Sequence, residues 1–124
     1  MRWIVDGMNV IGSRPDGWWR DRHGAMVTLV HRLERWATSE RLEVTVVFER
    51  PPDPPIRSTV IDVDHADAAG PDSADDEIVR LLLGADDPGG VCVVTSDSTL
   101  TRRARSAGAT VHPASAFRDV VDPP

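Results

Sequence analysis

The hydrophobic and polar positions of this 124-residue chain alternate between short apolar runs and longer stretches with helical periodicity. Apolar runs closed by Gly, Pro or Asp are typical of buried strands, whereas apolar positions three and four residues apart predict amphipathic helices. Strands are predicted over Arg2–Val5, Leu42–Glu49, Ser58–Val63, Val91–Thr95 and Ala109–His112. Helices are predicted over about Gly24–Ser39, from the N-cap Ser73 to Gly84, over Thr99–Ala107 and over Ala114–Val121.

Two connecting segments are predicted as loops. Ile11–His23 contains Gly12, Pro15 and Gly17, and a second loop is expected over Asp64–Asp72. The remaining order of strands and helices favours an α/β fold, with a parallel sheet of about five strands in the order 3-2-1-4-5 and helices on both faces. A single domain is expected over residues 1–124.

The composition excludes several classes of protein. All 14 basic residues are Arg, so a phosphate-binding loop of the GxxxxGK[ST] type and a Schiff-base enzyme, which both need a Lys, are ruled out. Cys92 is the sole cysteine, which excludes an internal disulfide and a Cys-rich zinc site. The net charge of −6 argues against a broad basic surface for nucleic acid, although a local Arg cluster remains compatible with it.

The N-terminal residues and the overall hydropathy bear on localisation. The opening MRWIVDGMNV has an Asp and an Asn where a secretory signal is apolar. No run approaches the roughly 18 apolar residues of a membrane span. A cytoplasmic protein that does not enter a membrane is therefore expected.

Acidic residues recur at one predicted edge of the sheet. Asp6 and Asp97 each come just after a buried strand, and Asp75 and Asp76 open the helix that leads into the fourth strand. Because the carboxyl ends of parallel strands meet at one edge, where open α/β sheets bind ligands, these acids are expected to converge. Glu49, at the end of the second strand, is expected one strand further over.

Carboxylates this crowded repel one another unless a cation lies among them. Oxygen ligands without Cys or a necessary His select a hard cation, so Mg²⁺ or Mn²⁺ is predicted. Such an ion can activate water and neutralise charge on a phosphate, which predicts phosphodiester hydrolysis. Asn9 is expected to hydrogen-bond a ligating carboxylate or a substrate phosphate.

Three motifs make a family resemblance specific: IVDGMNVIG at the start, ADDEI at Ala74–Ile78, and VVTSD at Val93–Asp97 before an Arg-rich helix. In this order they resemble the NYN domain, and more narrowly the YacP-like branch of the PIN-like nuclease superfamily. The resemblance spans almost the whole chain. It implies a PIN-like parallel sheet, Mg²⁺ or Mn²⁺ binding, and ribonuclease activity. The hypothesis that follows is cleavage of single-stranded or exposed RNA.

The resemblance assigns four catalytic residues. Asp6 matches the first-strand Asp, Asn9 the Asn of DGxN, Asp75 the Asp of A-D-x-x-I, and Asp97 the Asp of T-S-D, so the three Asp residues are the implied metal ligands. Relatives read Phe-Asp where this chain reads Phe48-Glu49. The departure leaves Glu49 open as a ligand, and Asp76 is open in the same way beside Asp75.

Arginines near the same edge are candidates for RNA contact. Those in the loop after the first strand are favoured over those in the Arg-rich helix, which are equally well explained as solvated. Trp18 and Trp19 either stack on unpaired bases or pack on the protein. The loop candidates are Arg14, Arg20 and Arg22, and the helix candidates are Arg102, Arg103 and Arg105.

Two rival functions compete with the ribonuclease, and the second lacks a residue that it requires. A non-catalytic RNA-binding or regulatory module is favoured by the acidic charge and by Glu49. A dehalogenase-like phosphatase needs a second Asp two residues after Asp6, where this chain has Met8. A chain this short is expected to depend on a partner such as a ribonucleoprotein to position its RNA, and the sequence leaves the oligomeric state open.

Overall fold

The computed structural model describes residues 1–67 and 73–122, in which a five-stranded sheet lies between two layers of helices. Short 3₁₀ turns cover Trp18–Arg20 and Pro88–Gly90. The strands are β1 (Arg2–Asp6), β2 (Glu43–Phe48), β3 (Asp62–His65), β4 (Val91–Val94) and β5 (Thr110–His112). The helices are α1 (Gly7–Ile11), α2 (Arg22–Glu40), α3 (Ser73–Leu83), α4 (Ser98–Ser106) and α5 (Ala114–Val121).

The strand order is β3-β2-β1-β4-β5 and every pairing is parallel, which confirms the predicted sheet. Central β1 pairs with β2 from Arg2 opposite Glu43 and with β4 from Arg2 opposite Val91. The chain order reverses at β1, so β1 and β4 flank the point where doubly wound sheets bind ligands.

Two apolar cores lie on the two faces of the sheet, because successive strand residues point to opposite sides. On β1, Ile4 packs in the core with α3 and α4, whereas Val5 packs in the core with α2 and α5. All the residues Val91–Val94 of β4 are buried. Both faces are therefore covered by helices, as the continuous apolar runs predicted.

A short helix follows β1 directly, in a segment for which the hydrophobic pattern predicts no helix. α1 starts at Gly7, immediately after Asp6. A Cβ at Gly7 would lie 2.6 Å from Cε1 of Phe48, so only glycine lets this helix close against β2. Five residues are too few to produce a helical repeat in the sequence, and the helix was missed for that reason.

The third strand lies later in the chain than predicted. Ser58–Val63 was expected, but the ladder to β2 begins with Asp62 opposite Thr45 and ends at His65. The Ser58 hydroxyl accepts hydrogen bonds from the amides of Val60 and Ile61, which holds these residues in a turn. The predicted loop Asp64–Asp72 is thus partly strand, and residues 68–72 of it lie outside the described residues.

The other boundaries differ from the predictions by a few residues. α2 begins at Arg22, where the Asp21 carboxylate accepts a hydrogen bond from the Gly24 amide at 2.9 Å. The segment predicted as a loop before it therefore ends in helix. In the described part of the chain, no helix is long and apolar enough to cross a membrane.

Candidate active site

Three aspartates stand at the carboxyl edge of the sheet. Asp6 is the last residue of β1, Asp97 is the N-cap of α4 just after β4, and Asp75 lies in the first turn of α3. Asp6 and Asp75 are each only 6% exposed. The fold thus brings together side chains that are up to 91 residues apart in the sequence, as the strand order predicted.

Thr95 links the two carboxylate-bearing strand ends. Its buried hydroxyl donates to Oδ2 of Asp6 at 2.9 Å and accepts from the backbone amide of Asp97 at 3.1 Å. Oδ1 of Asp97 in turn accepts from the Leu100 amide at 2.8 Å. The position of Asp97 is therefore fixed by a helix cap, while the Thr95 hydroxyl partly offsets the burial of Asp6.

Burial raises the pKa of Asp6 from its usual 3.8 to about 7, with further increases from the charges of Asp75, Asp97 and Glu49. The hydrogen bond from Thr95 acts in the opposite direction and lowers the pKa. Removing water favours the neutral acid, and neighbouring carboxylates add repulsion. The site therefore holds Asp6 close to the point where it ionises at neutral pH, and a cation there would favour the ionised form.

Asn9 makes a contact within the protein. Its side-chain carbonyl accepts a hydrogen bond from the Ser96 amide at 2.8 Å, and the Ser96 hydroxyl accepts one from the Ala114 amide at 2.9 Å. These bonds join α1, the loop after β4 and α5. Asn9 thus holds the loop that carries Asp97, which makes it a positioning residue in this structure.

The two adjacent acids of α3 have different surroundings. Asp75 is buried, and its charge contributes to the raised pKa of Asp6. Asp76 is exposed and accepts a hydrogen bond from Arg103 on α4 at 2.9 Å. Glu49 is exposed at the end of β2, and its backbone carbonyl accepts a bond from the Ser73 hydroxyl at 3.0 Å. The arrangement places Asp75 and Glu49 around Asp6, with Asp76 directed to Arg103.

A hard cation at this edge would be held in part by water and substrate. Within residues 1–67 and 73–122, no group of three His, Cys, Asp or Glu side chains stands ready to hold a metal ion. Mg²⁺ dehydrates reluctantly and binds through one or two carboxylates, waters and substrate phosphates instead of a complete protein cage. The buried Asp6, repelled by three neighbouring acids, suits that mode of binding.

The arginines named as RNA contacts differ in their surroundings. Arg14 is paired with Asp119 and Asp122 beside α5. Arg20 and Arg22 are exposed, with their guanidinium carbons 6.0 Å from the Trp19 ring and 5.3 Å from the Trp18 ring. Among the helix candidates, Arg102 and Arg105 are exposed, and Arg103 bonds Asp76. Among the candidates, exposed guanidinium groups thus lie at the start of α2 and along α4.

Arg118 is a residue that sequence reasoning missed. It is 7% exposed, and its Nη1 donates to the carbonyls of Val10 and Ile11 at 3.3 Å each, while Nη2 donates to Asp16 at 2.5 Å. It satisfies carbonyls at the end of α1, which no later helical turn can reach. Its partners lie more than 100 residues earlier, so no local pattern signals this role.

Comparisons with known proteins agree on one family. The family model described as the YacP-like NYN domain matches residues 3–123. Among solved structures, Rae1 (YacP) from Bacillus subtilis superimposes with a TM-score of 0.81 at 20% identity, over 98% of this chain and 74% of that one. A tryptophan-to-leucine mutant of the same protein gives a TM-score of 0.76 at 22% identity, with the same coverage. No curated protein sequence matches the chain. With its sheet order and the motifs around Asp6, Asp75 and Asp97, the chain belongs to the YacP-like NYN domain family.

Proposed function

We propose that this protein is a metal-dependent ribonuclease that hydrolyses phosphodiester bonds of unpaired RNA. The observation that carries the proposal is the buried Asp6, whose pKa is raised to about 7 by burial and by three acids at the carboxyl edge. Carboxylates with strongly shifted pKa values are concentrated at functional sites. Because the chain is an NYN domain with a nuclease-like fold, phosphodiester hydrolysis is the proposed chemistry of this carboxylate. Mg²⁺ or Mn²⁺ is the proposed cofactor.

Each residue of the edge has a part in this chemistry. Asp6, Asp75 and Asp97 are the proposed ligands, of which Asp97 is fixed by the Leu100 amide and Asp6 by Thr95. When bound, a hard divalent cation neutralises charge on the phosphate and lowers the pKa of water. Asn9 maintains the position of the Asp97 loop through Ser96. Glu49 adds negative charge beside Asp6 and is an additional candidate ligand.

The substrate class follows from the charge around the edge. The chain carries a net charge of −6, so a phosphate backbone is not attracted by the molecule as a whole. The exposed Arg20 and Arg22, near Trp19 and Trp18 respectively, offer local phosphate and base contacts on one side. Arg102 and Arg105 offer phosphate contacts on the other side. Stacking on aromatic rings requires bases that are not paired, which favours single-stranded RNA.

Labelled RNA and DNA of one sequence test this function. Purified protein should cleave the single-stranded RNA in Mg²⁺ or Mn²⁺, leave it intact in EDTA, and cleave the DNA more slowly. Duplex RNA is the matched control for the requirement for unpaired bases. Cleavage that persists in EDTA would contradict metal dependence, and cleavage of DNA at the RNA rate would contradict the substrate class.

A non-catalytic RNA-binding module is the second candidate. Glu49 favours it, because an exposed Glu replaces the Asp found in relatives, and so does the lack of a ready group of three metal-binding side chains in the described part of the chain. The same assay separates the two functions. Binding of the RNA without cleavage in either metal would favour the module over the enzyme.

A further inference from the structure

A cleft of about 260 Å³ opens beside the acidic edge, between the start of α2 and the Pro-rich segment that follows β2. Its apolar lining includes the thioether side chains of Met8 and Met26 together with Pro52. Its charged lining consists of two arginines and two acids: Arg22, Arg50, Glu49 and Asp53. The volume is just below the roughly 300–1,000 Å³ typical of pockets for drug-sized ligands. The cleft therefore suits a single flat group of about the size of a nucleobase.

The cleft adjoins the candidate active site. Met8 lies two residues after Asp6 on α1, and Glu49, whose charge acts on Asp6, lines the same cleft. An RNA base in the cleft would therefore belong to the RNA segment that crosses the acidic edge. Arg22 and Arg50 complement the phosphates of such an RNA segment, and the apolar part of the lining can contact the face of a base.

We propose that this cleft binds one unpaired base of the RNA substrate and so sets which nucleotide lies next to the phosphate that is cleaved. The proposal rests on the proposed ribonuclease function and adds a specificity site to it. Thioethers make favourable contacts with aromatic rings, and guanidinium planes stack on bases. A base held in a duplex cannot enter such a cleft without being extruded, so the site selects unpaired RNA.

The two sides of the cleft are tied together. Nε2 of His23, in the first turn of α2, lies 2.8 Å from the backbone carbonyl of Pro54. Pro51, Pro52, Pro54 and Pro55 restrict the backbone of the opposite side. A site whose sides are already restricted loses little conformational entropy when a ligand binds. This preorganisation favours recognition of a base over loose electrostatic contact.

Abasic scanning of a short RNA tests the cleft. A fluorescent single-stranded RNA of about six nucleotides is titrated with the whole chain in EDTA, and the base is then removed from one position at a time. Base stacking is worth about 1–3 kcal/mol, so removal at one position should weaken binding by about 5- to 150-fold, with smaller effects elsewhere. Met8→Ala should reduce that position-specific loss, with the melting temperature as a check of folding.

Arg22→Ala provides a second variant on the surface, where folding is not at risk. It should weaken binding at every position and flatten the log-log salt dependence by about 0.7 for a single strand. Arg35→Ala, exposed further along α2, is the matched control and should leave both quantities unchanged. Equal losses of affinity at all positions, or no RNA binding at all, would overturn the proposal that the cleft binds a base. A position-specific loss in a protein that cleaves no RNA would sustain the cleft and contradict the proposed enzyme.

Discussion

Replacement of Asp97 by Asn is expected to slow RNA cleavage by about 10²–10³-fold while the chain remains folded, a loss typical of removing one electrostatic group from an active site. The Asn side chain caps a helix as well as Asp does, so the hydrogen bond from the Leu100 amide is retained. What is lost is one negative charge at the proposed cation site. The substitution therefore removes the charge of Asp97 without removing the helix cap, so a loss of cleavage is not explained by a loss of folding.

Asp62→Asn is the matched control for this substitution. Asp62 is exposed at the first residue of β3, at the opposite end of the sheet from the acidic edge. Single-turnover cleavage rates of the two variants and the unmodified chain, with thermal melts of each, give the comparison. Equal cleavage by Asp97→Asn and Asp62→Asn would contradict the assignment of Asp97.

The metal-free chain is expected to lose stability as the pH rises from about 4 to 7. The pKa of Asp6 is about 7 in the folded state and near 3.8 when unfolded, so the folded state binds more protons in this interval. The decrease in the free energy of unfolding is complete above pH 7. It amounts to at most about 4 kcal/mol, because each pKa unit corresponds to roughly 1.4 kcal/mol. Asp75, Asp97 and Glu49 contribute to it by repulsion.

Asp6→Asn should remove this dependence, since an amide does not ionise and still accepts the hydrogen bond from Thr95. Urea unfolding in EDTA at pH 5 and pH 8 measures the effect. The variant should be more stable than the unmodified chain at pH 8, and the difference should shrink at pH 5. The free energy of unfolding of Asp62→Asn should match that of the unmodified chain at both pH values. If Asp6→Asn shows the same pH dependence as the unmodified chain, the effect of burial on Asp6 is contradicted.

The sheet could be predicted because each strand is recognisable from its own short run of residues. Val91–Val94 and the core of β2 are uninterrupted apolar runs, which are typical of strands buried on both faces. Alternation with helices then restricts the order of the strands. The convergence of Asp6 and Asp97 followed from that order without any knowledge of contacts.

The parts that could not be predicted depend on contacts between distant residues. α1 is too short for periodicity, and it closes on β2 because Gly7 accommodates the Phe48 ring. β3 begins late because the Ser58 hydroxyl, which donates to the Glu34 carboxylate on α2 at 2.7 Å, accepts bonds from the next amides and holds a turn there. Arg118 supports α1 from the far end of the chain. Tertiary contacts outweigh local propensity at each of these positions.

The account depends on a divalent cation at the edge formed by Asp6, Asp75 and Asp97, and a melting-temperature titration with Mn²⁺ tests this directly. A ligand that binds only the folded state stabilises it by mass action, by about 2.7 kcal/mol at a concentration one hundred times its Kd. The melting temperature of the unmodified chain and of Asp62→Asn should rise with the logarithm of the Mn²⁺ concentration once it exceeds Kd, whereas that of Asp6→Asn should stay constant. A flat titration of the unmodified chain, or an equal rise in Asp6→Asn, would contradict the account.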